Sequence, residues 1–303
     1  MSQSIVLNGQ KIGRMRASFI LFKETFRFFW ADKEMIWVPI ITSLMQLFLI
    51  GLAVVTVIIP AGIFNSADTE TTGLTLFEYG YVFLFYVIGA FTVSFTQATI
   101  THIVYTRVHG GNATLGNGLR VACAHAGNLF VWACITSTVG LILRAIAERS
   151  QLLMKLLVMV LGAVWSVLTY FVVPAIIIDN KSAVSGIRHS GTVFKRTWGE
   201  TIVSNISFSL VMFVMFFVLA IAFVGLVVVT GGSAGMVVVS GSIFMIAIFV
   251  LILIHSVLDS VLRTLLYVYA NEGTVPVDFN RELLENMLAR KEVVSEIPVK
   301  TTL

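Results

Sequence analysis

Charge is what this 303-residue sequence has least of. Asp, Glu, Lys and Arg together make up 12% of it, against 57% hydrophobic residues and a mean hydropathy of +0.94. A soluble domain is about one quarter charged, because water must wet its surface. Here there is too little polar side chain to cover a sphere, so lipid has to solvate most of the chain. The same balance excludes disorder, which needs low hydrophobicity. Cysteine is nearly absent: Cys123 and Cys134 are the two thiols, too few for a disulfide scaffold or a zinc spacing, and both read as packing residues. No phosphate-binding lysine loop and no dinucleotide glycine fingerprint occur. Gly231-Gly232-Ser233-Ala234-Gly235 resembles a nucleophilic-serine frame only superficially, since that turn offers no base to activate the hydroxyl. The expectation is a protein that is not an enzyme and uses no cofactor or metal. Its net charge of +4 is spread along one membrane edge, which suits anionic lipid headgroups better than nucleic acid.

Long charge-free runs are what the sequence does have. They cover residues 35–67, 79–106, 121–143, 156–178 and 201–258, with lengths of 33, 28, 23, 23 and 58. A helix needs about 20 apolar residues to cross the hydrocarbon core. Each of the first four runs holds one crossing. The fifth holds two, because the glycine-rich residues 230–235 interrupt it. That predicts helices over 201–229 and 236–258, the last continuing towards Ala270. Runs such as 210–229 lack the alternation of a β-barrel strand. The predicted fold is an all-α polytopic bundle of six transmembrane helices: a cytoplasmic segment with an interfacial helix (1–34), the transmembrane domain (35–270) and a cytoplasmic tail with a short helix (271–303).

Seventeen of the 20 basic residues fall on one side of that scheme: Lys11 to Lys33 ahead of the first run, Arg107 and Arg120 after the second span, Lys181 to Arg196 after the fourth, and Arg263 to Lys300 at the end. The positive-inside rule then predicts cytoplasmic termini, in a bacterial inner membrane. Arg144, Arg149 and Lys155 dissent, and all three flank one loop. Spans three and four therefore also fit a hairpin that enters and leaves by the same face. No cleavable leader is expected from the charged, aromatic stretch ahead of the first run, and residues 299–303 carry no prenylation cysteine.

A pattern recurs ahead of each span pair. Over 182–198, Ile187, Gly191, Phe194 and Trp198 keep helical spacing with Arg188, Lys195 and Arg196 on other faces; Phe19, Phe22, Phe26 and Trp30 do the same against Lys23 and Arg27. A weaker version, over 114–127, sets Leu115, Leu119, Ala122 and Ala126 against Arg120 and His125. Such amphipathic helices lie in the headgroup layer. Gly118-Leu119-Arg120 aligns with Gly186-Ile187-Arg188, which suggests three repeated hairpin units and a trailing interfacial helix at 281–291. The plainer explanation is that any loop beside a membrane collects Arg and aromatics.

Polar residues inside the spans are candidate sites, since they are costly there. His255, Asp259 and Arg263 lie one turn apart on the last span; they read either as a relay or, more simply, as an Asp–Arg pair neutralised at the interface. Ser94, Gln97 and Thr101, with Thr92, Thr96, Thr99 and His102, form a stripe on span two that reads as helix packing or as a hydrophilic path. Arg144 and Glu148 are four apart and predict a solvated pair at the mouth of span three.

The segments Thr136-Ser137-Thr138-Val139-Gly140-Leu141-Ile142-Leu143-Arg144 with Glu148-Arg149, Thr169-Tyr170-Phe171-Val172-Val173-Pro174, and Ile187-Arg188-His189-Ser190 with Phe194-Lys195-Arg196-Thr197-Trp198-Gly199-Glu200 resemble signatures of an uncharacterised prokaryotic family of multi-span membrane proteins. Ala31-Asp32-Lys33-Glu34 fits as well, and the resemblance runs over residues 20–209. It implies a six-helix inner-membrane protein with recurrent charges at Arg144, Glu148, Arg149, Arg188, Lys195, Arg196 and Glu200, and it implies no activity. The expected role is organising or binding at the membrane interface, with anionic lipids, a second copy or another protein as partner. The alternative is a small transporter or channel. A polar cavity lined by Gln97, His102, His255 or Asp259 favours transport; a solid bundle with an aromatic underside favours the interface role.

Overall fold

The computed structural model describes residues 5–7, 10–12, 20, 23, 25–27, 29–30, 33–55, 76–148, 152–231 and 233–274. Eight helices are described: α1 (Trp37–Ala53), α2 (Leu76–Val108), α3 (Leu115–Ala124), α4 (Ala126–Glu148), α5 (Leu152–Leu168), α6 (Val172–Ile178), α7 (Ala183–Val229) and α8 (Ala234–Glu272). A 3₁₀ turn, Lys33–Ile36, leads into α1. The one addition to the all-α expectation is a small antiparallel hairpin of β1 (Ile5–Leu7) and β2 (Gln10–Ile12), with Val6 opposite Lys11. Asn8-Gly9 stands between the strands in sequence, the dipeptide that two-residue hairpin loops favour.

Five segments are long and apolar enough to cross a membrane: Phe83–Val108, Ala126–Glu148, Met154–Ile178, Val211–Val229 and Gly235–Glu272. The helix for the first predicted crossing is shorter. Its 17 residues reach about 25 Å at 1.5 Å per residue, less than a hydrocarbon core of about 30 Å. The predicted break near residue 230 is present. Helix α7 stops at Val229, Gly231 takes a left-handed φ of +67°, and α8 starts at Ala234; only a residue without Cβ adopts that turn cheaply.

The segment over 182–198 is not a separate interfacial helix. It is the first part of α7, a single helix of 47 residues and about 70 Å, because no proline and no paired glycines occur between Ala183 and Val229. Its inner face, Ala183, Gly186, Ser190, Val193 and Phe194, is buried against protein. Helices α3 and α7 start alike: Thr114 and Ser182 are N-caps whose hydroxyls accept from the backbone N–H of Asn117 (3.4 Å) and Ser185 (3.3 Å). Of the amino-terminal stretch, Phe26 and Trp30 are exposed and stacked at 5.9 Å, whereas Phe29, beside them, is buried. Phe19, Phe22, Pro60, Arg149 and 281–291 lie outside the described residues, as do the side chains of 196–210.

Buried residues gather at one end of the bundle, here called basal. The larger core joins Phe29, Met35 and Val38 to the end of α2, Phe171, Phe194 and the stretch of α8 from Val257 to Val268. A second core sets Ala98 and Phe95 against Leu129, Trp132 and α6. Helix α5 breaks over Thr169–Phe171 before Pro174 sits in the first turn of α6, where its missing N–H is not needed. The break leaves the Phe171 N–H inside the protein, and it donates to Ser190 Oγ at 2.9 Å. Cys134 is half-buried, as a packing residue would be, but Cys123 is exposed.

Candidate functional site

The span-two stripe divides into two kinds of residue. Thr92, Ser94, Thr96 and Thr99 are buried and donate back to carbonyls four residues earlier at 2.7–2.9 Å, which satisfies a hydroxyl within its own helix. Two positions also meet a neighbouring helix: Thr96 Oγ1 lies 2.6 Å from Thr42 Oγ1 of α1, and Thr101 Oγ1 lies 3.1 Å from Thr264 Oγ1 of α8. Interhelical hydroxyl contacts of this kind hold membrane helices together. Gln97 is different. It is 9% exposed, yet its Nε2 has no hydrogen-bond partner.

Gln97 lines a cavity of about 620 Å³. The walls come from α2, α4, α5, the Thr169–Phe171 turn, Val173 of α6, Phe194 of α7 and α8, and they are mostly apolar, with the Trp132 and Trp165 rings stacked at 6.2 Å. Val93 and Ser166 at the rim are exposed and belong to membrane-length segments, so the mouth opens sideways. Arg263 enters from α8. Its guanidinium lies 4.3 Å above the Tyr170 ring, and its Nη2 donates to Asp259 Oδ2 at 2.8 Å. Its Nε is buried without a partner. The Asp259–Arg263 pair expected from their spacing is present, with side chains 22% and 29% exposed, and Arg263 lines the cavity with its guanidinium over an aromatic ring. A cation above a ring face is attracted by its quadrupole, and this is what draws Arg263 inward.

The other candidates are not brought to this cavity. His255 lies one turn from Asp259, half-buried, and His102 is half-buried on α2; neither lines it. Arg144 donates through Nε to Glu148 Oε1 at 2.7 Å and through Nη1 to Tyr86 Oη at 3.0 Å, with the pair well exposed, which is the solvated pair expected from their spacing. Arg188 is exposed on α7.

A second polar group occupies the basal end and was not foreseen. Tyr267 Oη donates to Asp179 Oδ2 at 2.8 Å, and His189 Nε2 lies 3.1 Å from the same oxygen. His109 Nε2 meets Glu272 Oε2 at 2.9 Å, and His125 Nε2 meets Asn180 Oδ1 at 2.8 Å. These contacts tie the end of α2 to the end of α8, the α3–α4 junction to the end of α6, and the end of α6 to both α7 and α8. Their residues are up to 163 positions apart, so no local spacing announces them.

No curated protein and no solved structure matches this chain. One family model does, over residues 76–277, about two thirds of the sequence. That stretch holds the cavity, both buried donors and the basal network; Ala31-Asp32-Lys33-Glu34 lies outside it, and it runs past residue 209 to the end of α8. The chain thus belongs to the family described as "Family of unknown function (DUF6159)".

Proposed function

We propose that this chain is a non-enzymatic multi-pass protein of the bacterial inner membrane that binds amphiphiles at the membrane interface. The observation that carries the reading is the sideways-opening cavity, apolar but supplied with two unspent donors. Pockets of roughly 300–1,000 Å³ with a few placed polar groups are typical of small-ligand sites. Helix α1 supplies a sixth crossing in this scheme, and the basal end with both termini faces the cytoplasm, as the distribution of basic residues favours. Three repeated units belong to the same reading. It is supported by the matched caps Thr114 and Ser182 and by the burial of Gly118 and Gly186 on the preceding helix.

A transporter or channel is the second reading, favoured by the meeting of Gln97 and Arg263 in one cavity. Binding accounts better for the whole arrangement, because the stripe hydroxyls are engaged in packing and His102, His255 and Asp259 do not extend the lining. Purified protein in liposomes is expected to retain phospholipid and to leave ion and small-solute flux at the protein-free rate. Flux that Gln97→Leu abolishes would replace this reading with the second. Compartment reporters at both termini and within residues 66–76 are expected to separate the termini from that loop.

A further inference from the structure

We infer that the cavity is a lateral phospholipid site in which Gln97 Nε2 and Arg263 Nε together hold the headgroup's acceptor oxygens; this rests on the binding reading above. The two nitrogens are buried and have no partner, and the residues that carry them line one cavity. A buried donor left without a hydrogen bond is costly, so two in one cavity favour a ligand that accepts from both. Three of the lining hydroxyls are already engaged: Ser94, Ser166 and Thr169 donate to Ala90, Gly162 and Trp165 carbonyls at 2.7–2.9 Å. Asp259 neutralises Arg263 on the Nη2 side, so the headgroup is chosen by its phosphate or ester oxygens and not by a large excess of positive charge.

The rest of the cavity selects for an acyl chain. Its walls are mainly apolar, the stacked Trp132 and Trp165 give a flat surface, and Val93 stands 63% exposed at the mouth. A cavity of 620 Å³ takes a headgroup and the start of its chains, within the usual range for small-ligand sites. The chains then leave through the sideways mouth into the bilayer. A free phosphate ion satisfies the donors but leaves the apolar walls uncovered.

The test is native mass spectrometry of the full chain in detergent, titrated with dioleoylphosphatidylglycerol, alongside Gln97→Leu, the paired change Asp259→Asn with Arg263→Gln, and a mouth-filling Val93→Trp. Thermal unfolding of each variant establishes that it folds. One lipid per chain survives on the wild type, bound about tenfold more tightly than on Gln97→Leu, as one lost hydrogen bond predicts. Val93→Trp, which leaves both donors in place, weakens it too. Millimolar inorganic phosphate leaves the lipid in place; displacement by phosphate overturns the acyl-chain half of the inference. Lipid held equally by wild type, Gln97→Leu and Val93→Trp overturns the cavity site while leaving the binding reading standing. A wild type that retains no lipid overturns the binding reading itself.

Discussion

The basal and distal halves of this bundle are both built from apolar helices and are packed quite differently. In the basal half, Phe171 touches Tyr170, Phe194 and Tyr267 at ring-centroid distances of 4.8, 6.4 and 5.8 Å, and all four side chains are buried. In the distal half, Val211–Val229 has the highest hydropathy of any span, yet none of it is buried inside the protein. There α7 and the start of α8 lean on one another through Phe216, Phe223 and Phe244. Lipid is as apolar as leucine, so hydrophobicity alone draws no two helices together in a bilayer. What separates the halves is what packing can use: glycines, hydroxyls and interlocking rings in one, and smooth Val and Phe in the other.

The largest test of this contrast is a pair of aromatic truncations. Phe171→Ala removes a fully buried ring and is expected to cost about 3 kcal/mol, the low end for such changes because the transfer term is absent when the unfolded helices remain in lipid. Phe217→Ala, at a ring that is 47% exposed, is expected to leave stability nearly unchanged. Thermal or denaturant unfolding in detergent reads both, and equal losses would remove the distinction between the halves.

A smaller effect separates two basal glycines that the sequence aligns. A Cβ on Gly118 would meet the Thr99 carbonyl oxygen at 2.9 Å, whereas on Gly186 the nearest atom is the Val172 Cγ1 at 3.5 Å. Gly118→Ala is expected to destabilise by about 2 kcal/mol through forced separation of α2 and α3, and Gly186→Ala to be tolerated; the same unfolding curves decide it. Smallest of all is Arg144→Ala. Its pair with Glu148 is exposed, and such pairs contribute little, so the melting temperature is expected not to move.

Much of the architecture was legible in the sequence. The glycine-rich residues 230–235 announced the turn that Gly231 makes, and the i, i+4 spacing of Arg144 and Glu148 announced their pair. The span-two hydroxyls announced helix packing, which Thr96 and Thr101 provide. The candidate site was half legible: Gln97 and Arg263 stood out as polar residues in apolar spans, but nothing placed them in one cavity. The interfacial helix over 182–198 was misread because an amphipathic pattern looks the same whether its apolar face meets lipid or protein. Only Phe171, presenting its N–H to Ser190, and Phe194, packed on Phe171, show which surface it met.

The sequence by itself determined that the chain is built mainly of long apolar helices and that one pair of them turns at Gly231, because these follow from composition and from local backbone preference. Tertiary structure alone decided which helix faces meet, that Arg263 lies under Tyr170 beside Gln97, and that Asp179, His189 and Tyr267 share one hydrogen-bonded cluster. Those pairings join residues 93 or more positions apart in the first case and up to 88 in the second. In lipid they depend on shape and on hydrogen bonds between helices, and neither is written in hydropathy.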